Sequence, residues 1–292
     1  MKKIFLQELD SKGAIQIAIT DTATIYQLKN GSILKLYNPG VVEIQKLPGI
    51  DIDVERKILS ARPVQNSPEI LIPEAAVYDK NGKFCGYIMP KANGIDFNKY
   101  DDQLTFRDRE NLTKYAEMHY QLEMVLRKNN DIFFPDFCTC DNIFVDSQNN
   151  IQFIDYDGLQ IGAHRTLSLS TSVGGTNAII NNPKYFTRDR YFTKDLDKKS
   201  SIHLFYLTAF NIDLNKIGVY NPFSGKYIKL DDIFEQLGLD DQDICHKTWK
   251  VFNNKSNNEY LGEDLLTFAE KYDLSIVFQN RDLFVKKLTR KK

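Results

Sequence analysis

Asn142 and Asp155 stand at the two open ends of the segment Asp141-Asn142-Ile143-Phe144-Val145-Asp146-Ser147-Gln148-Asn149-Asn150-Ile151-Gln152-Phe153-Ile154-Asp155, in which two apolar runs flank a polar four-residue turn. If Asp146 faces Ile151 across that turn, the register of the hairpin sets Asn142 opposite Asp155. Directly opposed residues of an antiparallel pair have Cβ atoms roughly 4.5 to 5.5 Å apart, close enough for both side chains to reach one small cation. An amide oxygen and a carboxylate are hard ligands, of the kind magnesium takes together with phosphate oxygens and water. The same two residues also read as a turn cap and a strand end, the ordinary use of an isolated Asn and Asp.

Upstream of this hairpin the pattern is that of a small antiparallel sheet. Residues 15–19, 24–28 and 33–37 are short β-branched or aromatic runs, and Asn30-Gly31 is a hairpin signal between the last two. A second hairpin spans 75–78 and 84–89 around Asn81-Gly82, and a helix is expected over 53–61, capped by Asp51 or Asp53 and followed by Pro63. From Thr105 onward the spacing turns helical. Leu112, Tyr115, Ala116, His119, Leu122, Val125 and Leu126 recur at three- and four-residue steps, and further helices are expected over 200–210, 243–252 and 263–272. The expected class is α+β: a five-stranded, β-rich N-terminal unit with one helix over residues 1–92, and a larger, mainly α unit over 93–292.

The bulk composition removes several function classes. With 38 basic and 39 acidic residues the net charge is -1, so no global field draws in nucleic acid or anionic lipid. Only the end, residues 286–292, is distinctly basic, as a solvated tail or a contact for an acidic partner. The four cysteines, at 85, 138, 140 and 245, form no disulfide framework, and Cys138-Thr139-Cys140 lacks a second cluster of zinc-ligand spacing. Lys2-Lys3 precedes an apolar run too short for a signal peptide, and no stretch reaches membrane-spanning length, so a cytoplasmic location is expected, without membrane or nucleic-acid partners.

Several weaker motifs follow the hairpin's logic in order, and together they resemble the protein kinase superfamily over residues 13 to about 275. Phe134-Pro135-Asp136-Phe137 precedes Asn142 and Asp155-Tyr156-Asp157-Gly158, much as that family's catalytic loop precedes its metal-binding Asp-Phe-Gly. The resemblance implies Asp136 as the catalytic aspartate and Asn142 with Asp155 as magnesium ligands. Ile33-Leu34-Lys35-Leu36-Tyr37 is similar to the strand with the phosphate-contacting lysine, and Glu55, with Glu43 as an alternative, to the helical carboxylate that pairs with it. Tyr87-Ile88-Met89-Pro90-Lys91 resembles the strand and hinge between lobes. That implies Met89 at the back of the nucleotide pocket and backbone groups near Lys91 on the adenine. Gly175-Thr176, Asn182-Pro183-Lys184 and Asp197 resemble the end of an activation segment and the start of the helix after it.

The pattern departs from the family in four places. Thr20-Asp21-Thr22-Ala23-Thr24 replaces the glycine-rich phosphate loop, leaving Thr20 and Thr22 as its nucleotide-binding residues. Six positions separate Asp136 from Asn142 where the family has five, so a strict count back lands on Phe137. Phe134 and Pro135 replace the loop's His and Arg. Asp157 replaces the glycine after the metal-binding aspartate, as in distant small-molecule phosphotransferases, adding a metal contact or facing solvent.

The expectation is an ATP-dependent, magnesium-using phosphotransferase acting on a Ser/Thr-type hydroxyl, with a protein substrate or partner. A pseudokinase without transfer and a small-molecule kinase are the alternatives.

Overall fold

The structure, a computed structural model, describes residues 1–9, 13–45, 53–63, 68–97, 111–129, 132–133, 142–161, 194–210, 214, 217, 220–221, 225–227, 229–253 and 260–272. Asp136, Cys138, Cys140, the segment 162–193 and the basic end lie outside the described residues.

Two local turns organise the main sheet. Gly31 (φ +89°) closes the turn between β3 (Ala23–Gln27) and β4 (Ile33–Tyr37), and Gly82 (φ +75°) that between β5 (Ala75–Tyr78) and β6 (Phe84–Met89). Both sit in the left-handed region, which glycine enters at no steric cost. With β1 (Lys2–Phe5) and β2 (Ile15–Ile19), these strands make a six-stranded sheet in the order β1-β5-β6-β4-β3-β2. The expected five strands are present, and β1 is the addition. It runs parallel to β5, Lys2 facing Ala75 and Phe5 facing Tyr78, and a parallel pairing leaves no hairpin turn beside the strand to announce it.

The hairpin of β9 (Ile143–Val145) and β10 (Ile151–Phe153) is extended by β7 (Ile95–Asp96) into a three-stranded sheet. Gly94 (φ +83°) lets the chain leave the main sheet against β9: a Cβ there would overlap the Val145 carbonyl and lie 2.7 Å from Asp146 Cα. The hairpin is also tied to the segment before β5, since Leu71 N–H donates to the Phe153 carbonyl at 2.9 Å and Phe153 N–H to that of Glu69 at 2.7 Å. Two short pairs complete the described strands: β8 (Ile132–Phe133) with β11 (Gln160–Ile161), and β12 (Tyr220–Asn221) with β13 (Lys226–Tyr227).

Among the described residues the α-helices are α1 (Val41–Gln45), α2 (Val54–Leu59), α3 (Asn111–Lys128), α4 (Lys194–Phe210), α5 (Leu230–Leu237), α6 (Gln242–Phe252) and α7 (Gly262–Lys271). Of these, α1 and α5 were not expected, and α4 starts six residues before the expected 200. Buried residues from both the sheet-rich and the helix-rich parts join one hydrophobic cluster, which includes Val54 and Ile58 of α2, Tyr37 and Tyr87 of the main sheet, Leu122 of α3, and Ile143 and Ile151 of the hairpin. The chain is therefore α+β. Among the described residues no helix is long and apolar enough to cross a membrane, and Cys85 and Cys245 are free thiols.

The start of α7 is held by a buried acid. Glu123 of α3 accepts from Leu261 N–H at 2.9 Å and Gly262 N–H at 2.5 Å, satisfying amides that the helix cannot pair itself. Burial pushes this carboxyl up to about 7, against the pull of those two amides. Its neighbour His119 meets the Ser201 hydroxyl at 3.0 Å, and burial pushes the imidazole down to about 3, so it is neutral.

Two predictions follow from this packing. Gly31→Ala, with open space around it, is expected to cost about 1 to 2 kcal/mol for its backbone alone, and Gly94→Ala more than about 3 kcal/mol because the strand contact must also open; urea unfolding compares the two. Between about pH 4.5 and 7 the folded protein keeps a proton on Glu123 that the unfolded chain has lost. That residue's contribution is therefore full below about pH 4.5 and is lost as pH rises through about 7. Stability curves of wild type and Glu123→Gln, subtracted across that range, should show this slope.

Candidate functional site

Strand alternation and cross-strand register build one wall of the site. Lys35 and Tyr37 are two residues apart on β4 and share a face, and Tyr87 of β6 lies directly opposite Lys35. The other wall is the turn after β10. Asp155 takes a left-handed conformation (φ 62°, ψ 50°) and a single 3-10 turn, Tyr156–Gly158, follows it. Gly158 leaves room here, because a Cβ at that position would run into the Asp155 carboxylate as it is placed.

The two walls meet through charge. Lys35 Nζ donates to Asp155 Oδ1 and lies 2.9 and 3.0 Å from the two carboxylate oxygens of Asp157. The hydroxyls of Tyr37 and Tyr87 each donate to Asp157 at 2.6 Å. Asp157 is therefore neither solvent-facing nor a bystander. Its side chain is 10% exposed against 22% for Asp155, so Asp155 is the more open of the two carboxylates.

The protonation states follow from the same contacts. Burial alone would lower the Lys35 ammonium, but the two carboxylates outweigh it and hold its pKa above the ordinary lysine value. Burial and the nearby Asp157 charge push Asp155 up, while Lys35 pulls it down. For Asp157, burial is overcome by Lys35 and the two tyrosine hydroxyls, which hold its carboxyl below the usual range. Burial, then the Asp157 charge, raises both tyrosines.

A second lysine supports the turn from below. In α2 the buried positions are Val54, Lys57 and Ile58, the stripe of a short amphipathic helix whose N-cap is Asp53, accepting from Arg56 N–H at 2.9 Å. Lys57 Nζ donates to the main-chain carbonyls of Asp157 and Leu159, both at 2.6 Å. Burial pushes its pKa down to about 8, with the two aspartates opposing. Glu55 lies off this stripe and accepts from the Tyr78 hydroxyl at 3.0 Å, so the carboxylates that Lys35 meets are Asp155 and Asp157 rather than the expected Glu55. Glu43 of α1 pairs with Lys83.

The hairpin register also differs from expectation. Val145 faces Ile151 and Ile143 faces Phe153, so Asn142 lies opposite Ile154, whose N–H donates to the Asn142 carbonyl at 3.0 Å. The cause is the turn. Asp146 pairs with Asn150 through Asp146 N–H to the Asn150 carbonyl, and Asn149 (φ 62°) supplies the left-handed residue of a three-residue loop. A four-residue loop would have placed Asn142 across from Asp155, one position further on.

The remaining expected residues are dispersed around this centre. Met89 is buried two residues beyond Tyr87 on the same strand, hence on its face. Lys91 is exposed and donates to Gln27 Oε1 at 3.3 Å, while nearby Asn93 N–H donates to Gln152 of β10 at 2.7 Å, joining the strand exit to the hairpin. Thr20 turns its hydroxyl on its own loop, accepting from Ala23 N–H at 3.0 Å and Thr22 N–H at 3.3 Å, with the Thr22 hydroxyl 3.4 Å away. Asp197 lies within α4.

Sequence reasoning missed Tyr37, Lys57, Tyr87 and the pairing of Asp157. A signal existed for Lys57, a lysine inside the apolar 54, 57, 58 stripe. Tyr37 and Tyr87 become legible once Lys35 is placed on a central strand.

The sequence matches no protein-family model and no curated protein. Among the described residues no group of three His, Cys, Asp or Glu side chains is arranged to hold a metal by itself. What the arrangement offers is a carboxylate and an ammonium side by side, one group of each sign at the same place.

Lys57→Met should remove the ammonium that bridges the half-buried Asp157 carbonyl and the buried Leu159 carbonyl, and cost about 1 to 3 kcal/mol. Chemical denaturation measures this, with Lys83→Met, an exposed lysine, as the comparison expected within about 0.5 kcal/mol of wild type.

Proposed function

We propose that this chain is a divergent, protein-kinase-like phosphotransferase that moves the γ-phosphoryl of ATP to a hydroxyl, of a protein in the first instance. The observation that carries the reading is the meeting of Lys35, from the middle of the main sheet, with Asp155, at the end of the β10 strand and 120 residues away in sequence. A cation on a sheet and a carboxylate after a hairpin, each neutralising the other, are the two charges that a nucleotide's phosphates and its metal would separate.

The donors present fit magnesium, which takes one or two protein carboxylates and completes its shell with phosphate and water. Asp155, the more open of the two carboxylates, would hold it, with Asn142 from the facing side of the hairpin. When bound, the ion neutralises charge on the phosphates. In this reading Lys35 binds phosphate oxygens, Asp136 orients the acceptor hydroxyl and takes up its proton, and Met89 and the backbone at Lys91 receive the base. The buried tyrosines exclude water from the lysine's inner side, which strengthens its hold on charge.

Thr20 favours a second reading. With its hydroxyl spent on its own turn and no glycine in the loop, this edge offers little to phosphates, as befits a pseudokinase that binds nucleotide without transfer.

Thermal unfolding with magnesium and ATP, together with γ-labelled ATP and separated protein and small-molecule fractions, tests both. The expected result is stabilisation by ATP at 100 times its Kd of about 2.7 kcal/mol, lost in Lys35→Ala and Asp155→Ala and kept in Asp136→Ala. Label on protein that disappears in Asp136→Ala supports transfer, and stabilisation without label selects the pseudokinase. Neither stabilisation nor label overturns the proposal.

A further inference from the structure

The lysine of the site has two carboxylates, and they are not equivalent. Each oxygen of Asp157 accepts from Lys35 and from one tyrosine, Oδ1 from Tyr87 and Oδ2 from Tyr37. Its main-chain carbonyl accepts from Lys57. Asp157 is thus held from the sheet and from α2 at once, in a nearly dry setting. Asp155 meets the same ammonium from the more open side, with 22% of its side chain exposed. Glu55, expected in the partner's place, is engaged by Tyr78 on β5.

We infer that Asp157, clamped by Tyr37 and Tyr87, is the residue that positions Lys35, and that Asp155 is the partner the lysine gives up when a phosphate enters. The inference rests on the phosphotransferase reading for its purpose, and on the hydrogen bonds alone for its geometry. The physical reason for the division is exchange cost. Moving Lys35 off Asp157 would leave a buried carboxylate facing two neutral hydroxyls without the ammonium that balances its charge, whereas Asp155 can take solvent or a cation in its place. A lysine anchored this way cannot swing away from the sheet. The carboxylate that positions it comes from the same turn as the one that would hold the metal, so the turn's placement fixes both.

The experiment has a nucleotide arm and a nucleotide-free arm. In the first, Asp157→Asn should raise the KM for ATP about tenfold or more, with Asp157→Glu restoring part of the loss. Tyr37→Phe and Tyr87→Phe should fall between, and Glu55→Gln should cost less than any of them. In the second, an amine-reactive reagent is applied at one fixed pH without nucleotide and Lys35 labelling is read by peptide mass spectrometry. Labelling should rise several-fold in Asp157→Asn and in the Tyr37→Phe/Tyr87→Phe double variant, but not in Glu55→Gln. Should Asp157→Asn fail to fold, the tyrosine variants decide. Equal or larger effects from Glu55→Gln, or unchanged Lys35 labelling in the Asp157 and tyrosine variants, would overturn the assignment. If the wild-type protein neither binds nor turns over ATP, the phosphotransferase reading fails, and the labelling arm still decides whether Asp157 anchors Lys35.

Discussion

Two ammonium groups and two carboxylates share one largely buried volume between the main sheet, α2 and the turn after β10, and most of the site's geometry follows from that. An isolated charge taken out of water costs several kcal/mol even after relaxation, so each of these groups is tolerable only with its partners in place. Lys35 needs Asp155 and Asp157, and Lys57 needs the carbonyls of Asp157 and Leu159. The bonds join residues 100 to 122 positions apart in sequence. Sheet, helix and turn can therefore reach this arrangement only together, and the loss of one member strands the others.

The charges balance, but their surroundings break the symmetry. Four donor contacts converge on the Asp157 carboxylate, which keeps it ionised despite its burial. Asp155 has fewer donors, and burial together with the nearby Asp157 charge pushes its pKa the other way. Pairs of titratable groups driven apart by their environment are what acid, base and metal-binding sites are built from. Asp155 is also held in a left-handed conformation, and the glycine three residues later leaves room for its carboxylate. A strained residue beside an open carboxylate is consistent with use of that carboxylate.

The hairpin carrying this turn shows how far local chemistry can be followed. Asp79-Lys80-Asn81-Gly82-Lys83 and Asp146-Ser147-Gln148-Asn149-Asn150 fold alike. In each, the aspartate side chain accepts from the amides two and four residues on, and the fourth residue is left-handed. Gly82 announces the first loop openly, while Asn149 does the same work with a residue that reads equally well as ordinary polar loop. A count that treats the second loop as four residues shifts the partner strand by one. That shift is why Asn142 was expected opposite Asp155 and is found opposite Ile154.

The strands of the two glycine hairpins, the capped helix at Asp53 and the long helix through Leu122 are written in short-range patterns, and the sequence by itself determined them along with the α+β class. Lys35 and Asp155 were also legible as residues of chemical interest. The sixth strand was not, because a parallel edge pairing leaves no turn beside it. Nor was the exchange of Glu55 for Asp157 as the partner of Lys35. That depended on which face of a six-residue helix turns inward, on two tyrosines reaching the same carboxylate, and on a left-handed aspartate aiming the turn. Each of these is a contact between distant segments, and the energy of pairing buried charge, which only the assembled fold can supply, decided it.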